Sequence, residues 1–103
     1  MKSSELKNIW KQFNMAKNIQ LEIIETHNVT MLDIDTAVLI FIGSHQRVTI
    51  SKILKMKYFR DYGMSTIKRA VDRLLRSNLI SKEKDTIDGR KNLLTVVGLS
   101  WMN

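Results

Sequence analysis

Between Ser4 and His27 the chain has neither Gly nor Pro, and Leu6, Ile9, Trp10, Phe13, Ala16, Ile19, Ile23 and Ile24 recur at helical spacing. The pattern predicts one long helix over residues 4–27. At 100° per residue these positions cover roughly 200° of the circumference, wider than the stripe of about 100° that an ordinary surface helix buries. Part of that face is therefore expected to meet something besides its own domain. "DIDTAVLIFIGSH" predicts a second helix, capped by Asp33 or Asp35 and stopped near Gly43 and Ser44. "TISKILKMKYF" predicts a third, with Thr49 or Ser51 as cap and Ile50, Ile53, Leu54 and Tyr58 facing in. After an "RDYG" turn, "MSTIKRAVDRLLRSNL" predicts a fourth helix with Ser65 as cap. Its core stripe is Ile67, Ala70, Val71, Leu74 and Leu75, and Asn78 ends it. "LISKEKD" and "KNLLTVV" then read as two short strands around "TIDG", where the small Gly89 lets the tip turn tightly, and Val48 is a candidate third short strand.

Charge changes this picture by dividing the chain. Residues 1–45 carry four lysines against five carboxylates, whereas residues 46–103 carry thirteen Lys and Arg against five, so the whole excess of +7 sits in the second half. A polyanionic partner is expected, nucleic acid or an anionic membrane surface. A length of 103 residues with 44% hydrophobic content suits one domain with one core. There is no cysteine, which excludes disulfides, thiolate zinc sites and thiol nucleophiles. No signal-like or bilayer-spanning apolar run occurs, and a cytoplasmic protein without membrane partners is expected. His27 and His45 are isolated, no H-E-x-x-H, G-x-S-x-G or phosphate-binding glycine loop is present, and Asp33 and Asp35 read as helix caps. Neither an enzyme, nor a metal site, nor a cofactor is expected.

Four helices followed by a hairpin, with the positive charge on the third and fourth helices and the hairpin, match what a winged helix-turn-helix needs. One helix fits a major groove roughly 12 Å wide while a ribbon reaches phosphates or the minor groove. The fold class predicted is α+β, mostly α: a winged helix-turn-helix with a long N-terminal helix and a two- to three-stranded β wing. The fourth helix, about residues 65–77, suits the recognition role. Ser65, Thr66, Lys68 and Arg69 near its start are candidates for base edges, and Arg73 and Arg76 for phosphates.

The segment "STIKRAVDRLLRSNLISKEKDTIDGRKNLLTV" also resembles the MarR family of winged-helix transcription regulators. The likeness is carried by Ser65-Thr66, Val71-Asp72-Arg73-Leu74, Asn78-Leu79-Ile80, Asp88-Gly89-Arg90 and Leu94-Thr95. It extends upstream through "VTMLDIDTAVL" and "VTISKIL" to span roughly residues 29–97. The resemblance implies that Arg90 enters the minor groove braced by Asp88, in the wing 82–94, with Lys91, Lys82 and Lys84 adding phosphate contacts. It further implies a homodimer on double-stranded DNA, formed through the helix over residues 4–27 with Leu6, Ile9, Trp10 and Phe13 at its interface.

Two departures stand out. "KMKYFRDYGMS" is a few residues longer than the family's usual segment, and the chain ends at "GLSWMN" where members continue into one or two dimerisation helices, which makes a small-molecule effector doubtful. Trp101 and Met102 are candidates either for packing on a partner or for covering the core. The reading is a sequence-specific DNA-binding transcription regulator. The alternative is a protein-binding adaptor, gripping RNA polymerase or another regulator through the first helix and the tail. Single-stranded or RNA binding is poorer, because stacking needs exposed aromatics and Trp10 and Phe13 lie on the neutral first helix.

Overall fold

The computed structural model describes residues 1–97, so Trp101 and Met102 lie outside it. The chain runs α1 (Ser3–His27), α2 (Asp33–His45), α3 (Ile50–Lys55), α4 (Lys57–Arg60), α5 (Met64–Arg76), β1 (Ile80–Lys84) and β2 (Asn92–Val96). Helix α2 is the central element, packing on α1, α5 and β2. Val38, Leu39 and Ile42 of α2 meet Ile23, Ile53, Ile67, Ala70, Val71, Leu74, Leu79 and Leu94 in one buried cluster.

Helix α1 follows its expected span and ends where Asn28 turns left-handed at φ 51°. It sends only Gln20 and Ile23 fully into the core. At 1.5 Å rise per residue a helix of this length is about 37 Å long, most of the longest molecular dimension of 48 Å.

Helix α2 starts differently from expectation. Neither aspartate is the cap residue: Leu32 occupies that position, and Asp35, inside the first turn, accepts the Leu32 N–H at 3.0 Å. At the other end the helix runs through Gly43 and Ser44 to His45, whose ring lies 4.1 Å from Phe41 between centroids, and Gln46 takes the positive φ of 68° instead. A glycine inside a helix is only weakly unfavourable, and tertiary packing overrides it here.

Thr49 caps α3, accepting the Lys52 N–H at 3.1 Å. The predicted third helix is broken at Met56, whose ψ of 134° separates α3 from α4. The break decides which aromatic enters the core. In a continuous helix Tyr58 would follow Ile53 and Leu54 on the same stripe and Phe59 would point away; with the break, Phe59 is 3% exposed and Tyr58 is 62% exposed. Phe59 then meets Phe41 edge to face at 5.7 Å.

Gly63 opens α5 with φ 82° and ψ 157°, a conformation that a Cβ strains even though nothing lies within 4 Å of where one would be. It takes the cap position, and Ser65 falls inside the first turn rather than capping. The expected stripe is buried, with Leu75 half-buried at its margin. Helix α5 closes by the double bond pattern of a left-handed cap: the Leu79 N–H donates to Leu74 O at 3.0 Å and the Asn78 N–H to Leu75 O at 3.1 Å, with Asn78 at φ 59°.

Strands β1 and β2 pair antiparallel from Ile80 opposite Val96 to Lys84 opposite Asn92. Val48 adds an isolated bridge, donating to Leu94 O at 3.1 Å and accepting the Leu94 N–H at 2.7 Å. The sheet is thus two-stranded with a one-residue third member. Gly89 meets neither of the conditions that demand glycine: its φ is not in the left-handed region and the space around it is open.

Candidate nucleic-acid interface

Burying the apolar stripe of α5 fixes which of its side chains face outward. Ser65, Lys68, Arg69 and Arg76 are exposed and Thr66 is half-buried. Arg76 folds back with its Nε donating to Asp72 O at 3.4 Å. The exposed groups share the outer surface of a helix held from behind by α2 and α3.

Arg73 is differently placed. Its Nε donates to both carboxylate oxygens of Asp35, at 3.1 and 2.9 Å, and its Nη2 donates to Oδ1 at 2.7 Å. The Asp35 side chain is 1% exposed and that of Arg73 30%. These hydrogen bonds push the Arg73 pKa above its ordinary value, so the guanidinium stays charged. Arg73, expected as a phosphate anchor, forms a tie between α2 and α5. A buried carboxylate requires a bonded cation, and the sequence put Arg73 on a solvent-facing stripe because it could not show which element lies there.

The tie has a neighbour on α1. Gln20, 2% exposed, donates from Nε2 to Met31 O at 3.1 Å and to Asp33 Oδ1 at 3.0 Å, and Lys17 Nζ reaches the same oxygen at 3.4 Å. Gln20 first and Lys17 second hold the Asp33 carboxyl below its ordinary value. Gln20 Oε1 is left without a partner at the wall of a groove of about 840 Å³ between α1, α2 and the α4 region. Trp10, Phe13, Phe41, Tyr58, Phe59 and Tyr62 supply much of its lining. Of the expected interface residues on α1, Leu6 is 53% exposed, Ile9 40%, Trp10 68% and Phe13 66%. They are unburied by their own fold.

The wing tip is built by Asp88. Its Oδ1 accepts the Arg90 backbone N–H at 3.1 Å and the Arg90 Nε at 3.2 Å, so Arg90 and Asp88 form the expected brace. These bonds, the side chain's first, hold the Asp88 carboxyl below its ordinary value. The loop is closed by Asp85 N–H to Lys91 O and Lys91 N–H to Asp88 O, both 3.0 Å. The Arg90 side chain remains 92% exposed, with Lys91, Lys82 and Lys84 also in solvent. Arg47 pairs with Glu83 across the base of the wing, a contact that sequence separation hid.

Among the described residues no group of three or more His, Asp or Glu side chains converges as a metal site, and no helix is long and apolar enough to cross a membrane.

A short α3–α4 segment, an outward-facing helix and an adjoining hairpin with a braced arginine define a winged helix-turn-helix. Solved structures bear this out. The adhesin competence repressor AdcR of Streptococcus pyogenes is similar at 22% identity and a TM-score of 0.60, over 88% of this chain and 64% of that one. MarR matches at 22% identity and 0.57, over 86% and 64%. The YusO protein of Bacillus subtilis matches at 22% identity and 0.56, over 94% and 69%. The likeness establishes the fold, which this chain shares with MarR-family winged-helix regulators. The chain spans about 64% of the length of AdcR. No family model and no curated relative matches the sequence.

Proposed function

We propose that the protein is a sequence-specific double-stranded DNA-binding transcription regulator that acts as a homodimer. Helix α5 lies in the major groove and the wing in the adjacent minor groove. The observation that carries this reading is the braced wing arginine: Arg90 is held at its base by Asp88, is otherwise solvent-exposed, and follows a helix that exposes Lys68 and Arg69. A guanidinium so presented favours a narrow, strongly negative minor groove. Ser65, Thr66, Lys68 and Arg69 contact bases, while Arg76 and Lys91 contact phosphates. Arg73 acts from behind, holding α5 on α2. The exposed Leu6, Ile9, Trp10 and Phe13 of α1 form the dimer contact.

The test is retention from a pool of random duplex DNA at two salt concentrations, followed by sequencing, with wild type and Arg69→Ala/Arg90→Ala protein. An inverted repeat that the double variant fails to enrich supports the proposal. Retention without enrichment, vanishing at higher salt, counts against it.

The large exposed aromatics of α1 also favour a second reading, an adaptor that grips another protein through α1. It requires Trp10→Ala or Phe13→Ala to abolish function while Arg69→Ala leaves it intact.

A further inference from the structure

Among the described residues the most exposed large apolar side chain is Ile87, at 95%, and it stands at the tip of the highly charged wing. The core has no use for it. The paired strands stop at Lys84 and Asn92, and Ile80 and Leu94 already anchor the hairpin in the buried cluster. Nor is the tip loose. The Ile87 N–H donates to Asp85 Oδ1 at 2.9 Å, and the Asp85–Lys91, Lys91–Asp88 and Arg90–Asp88 bonds close the loop around it, so the backbone fixes where the side chain emerges. Every carboxylate of the wing is engaged within the protein: Glu83 with Arg47, Asp85 with the Ile87 N–H, Asp88 with Arg90. Lys82, Lys84, Arg90 and Lys91, all exposed, stand around the isoleucine. A lone exposed isoleucine on an ordinary surface calls for no partner. Fixed at a tip among cations, it suits a partner that is anionic outside and apolar within, as a duplex is with its phosphates and stacked bases. A bilayer has the same layering, but membrane binding scales with buried apolar area, and Ile87 is the single large apolar side chain between Lys82 and Lys91.

We infer that Ile87 is an apolar wedge, which the wing drives from the minor groove into one base-pair step, partly unstacking it and bending the duplex. The inference rests on the DNA-binding reading above and adds to it a contact that reads deformability, where Arg90 reads charge. Pyrimidine–purine steps unstack most easily and are its preferred site. Ile87 and Arg90 are three residues apart in the chain, a span of at most about 11 Å. At roughly 3.4 Å per step, the wedged step lies within about three base pairs of the position that Arg90 reaches.

The experiment takes the duplex that wild type retains best from a random pool, labels its two ends for energy transfer, and titrates it with wild type, Ile87→Leu, Ile87→Ser and Arg90→Ala at several salt concentrations. Ile87 is exposed, so these variants keep the fold. Ile87→Ser should bind about tenfold more weakly at every salt concentration, with the wild-type slope of log K against log salt, because no phosphate contact is lost. It should also bend the duplex less. Ile87→Leu should keep both affinity and bend, and Arg90→Ala should flatten the salt slope. Wild-type affinity and bend in Ile87→Ser overturn the wedge, and so does weaker binding with the bend intact. Flotation with mixed phosphatidylcholine and phosphatidylserine vesicles that depends on Ile87, with no effect of Ile87→Ser on the duplex, overturns it in favour of a membrane surface. Failure of wild type to bind any duplex at low salt overturns the DNA reading itself, and this inference with it.

Discussion

Helices α1 and α5 are both amphipathic in sequence, yet they dispose of their apolar faces in opposite ways. In α5 the stripe of Ile67, Ala70, Val71 and Leu74 is at most 2% exposed, and its polar side carries the positive charge. In α1 only Ile23 of the apolar set is fully buried, while Trp10 and Phe13 stay about two-thirds exposed on a neutral half of the chain. Hydrophobicity on α5 holds the fold together. On α1 most of it stays exposed, as a clustered apolar patch rather than as scattered apolar residues, and the proposed self-association would use it.

The strongest way to break this contrast is to attack the tie behind α5. Arg73→Ala should strand a buried Asp35 carboxylate and cost about 3 kcal/mol in urea unfolding, as removal of one partner from a buried pair does. A loss confined to DNA binding, with stability unchanged, would return Arg73 to the phosphate role.

Within α1 the contrast sharpens between neighbours. Ile23→Ala should cost about 2–4 kcal/mol, whereas Trp10→Ala should leave protomer stability within about 0.5 kcal/mol. Sedimentation should nevertheless show Trp10→Ala weakening self-association.

Smaller again is the test of the two turn glycines. Gly63→Ala must hold a positive φ and should cost about 1 kcal/mol, while Gly89→Ala should be neutral within about 0.5 kcal/mol in thermal unfolding.

The smallest effect concerns the wing. Asp88, with its lowered pKa, should titrate by NMR below its ordinary value of 3.8 and move back toward it in Arg90→Ala. The sign follows from the direction: a depressed folded pKa gives stability present above 3.8 and lost as pH falls through the folded value. Since both groups reach solvent, the effect on overall stability is minor.

What the sequence disclosed was the part governed by local periodicity. The stripe of α5, the span of α1 and the hairpin all follow from spacings and turn residues that act over a few positions. The Asp88–Arg90 brace was available because a single residue separates its partners and the MarR resemblance named them. What stayed hidden lies where a distant neighbour decides. Asp35 and Arg73 are 38 residues apart, and neither looks buried on its own helix. Phe59 over Tyr58 depended on a break at Met56 that no Pro or Gly announces. Ser65 lost the cap to Gly63 because a glycine able to take φ 82° lets the chain turn into α5 two residues sooner.

The left-handed close of α5 at Asn78 hands the chain straight to Leu79 and Ile80, both buried, with no slack between helix and hairpin. Helix and wing are consequently a ruler rather than two fingers. For the proposed DNA complex this sets a fixed count of base pairs between the bases read by α5 and the groove reached by Arg90. Inserting one base pair there would rotate the second contact by about a tenth of a turn, and the protein has no linker with which to follow it.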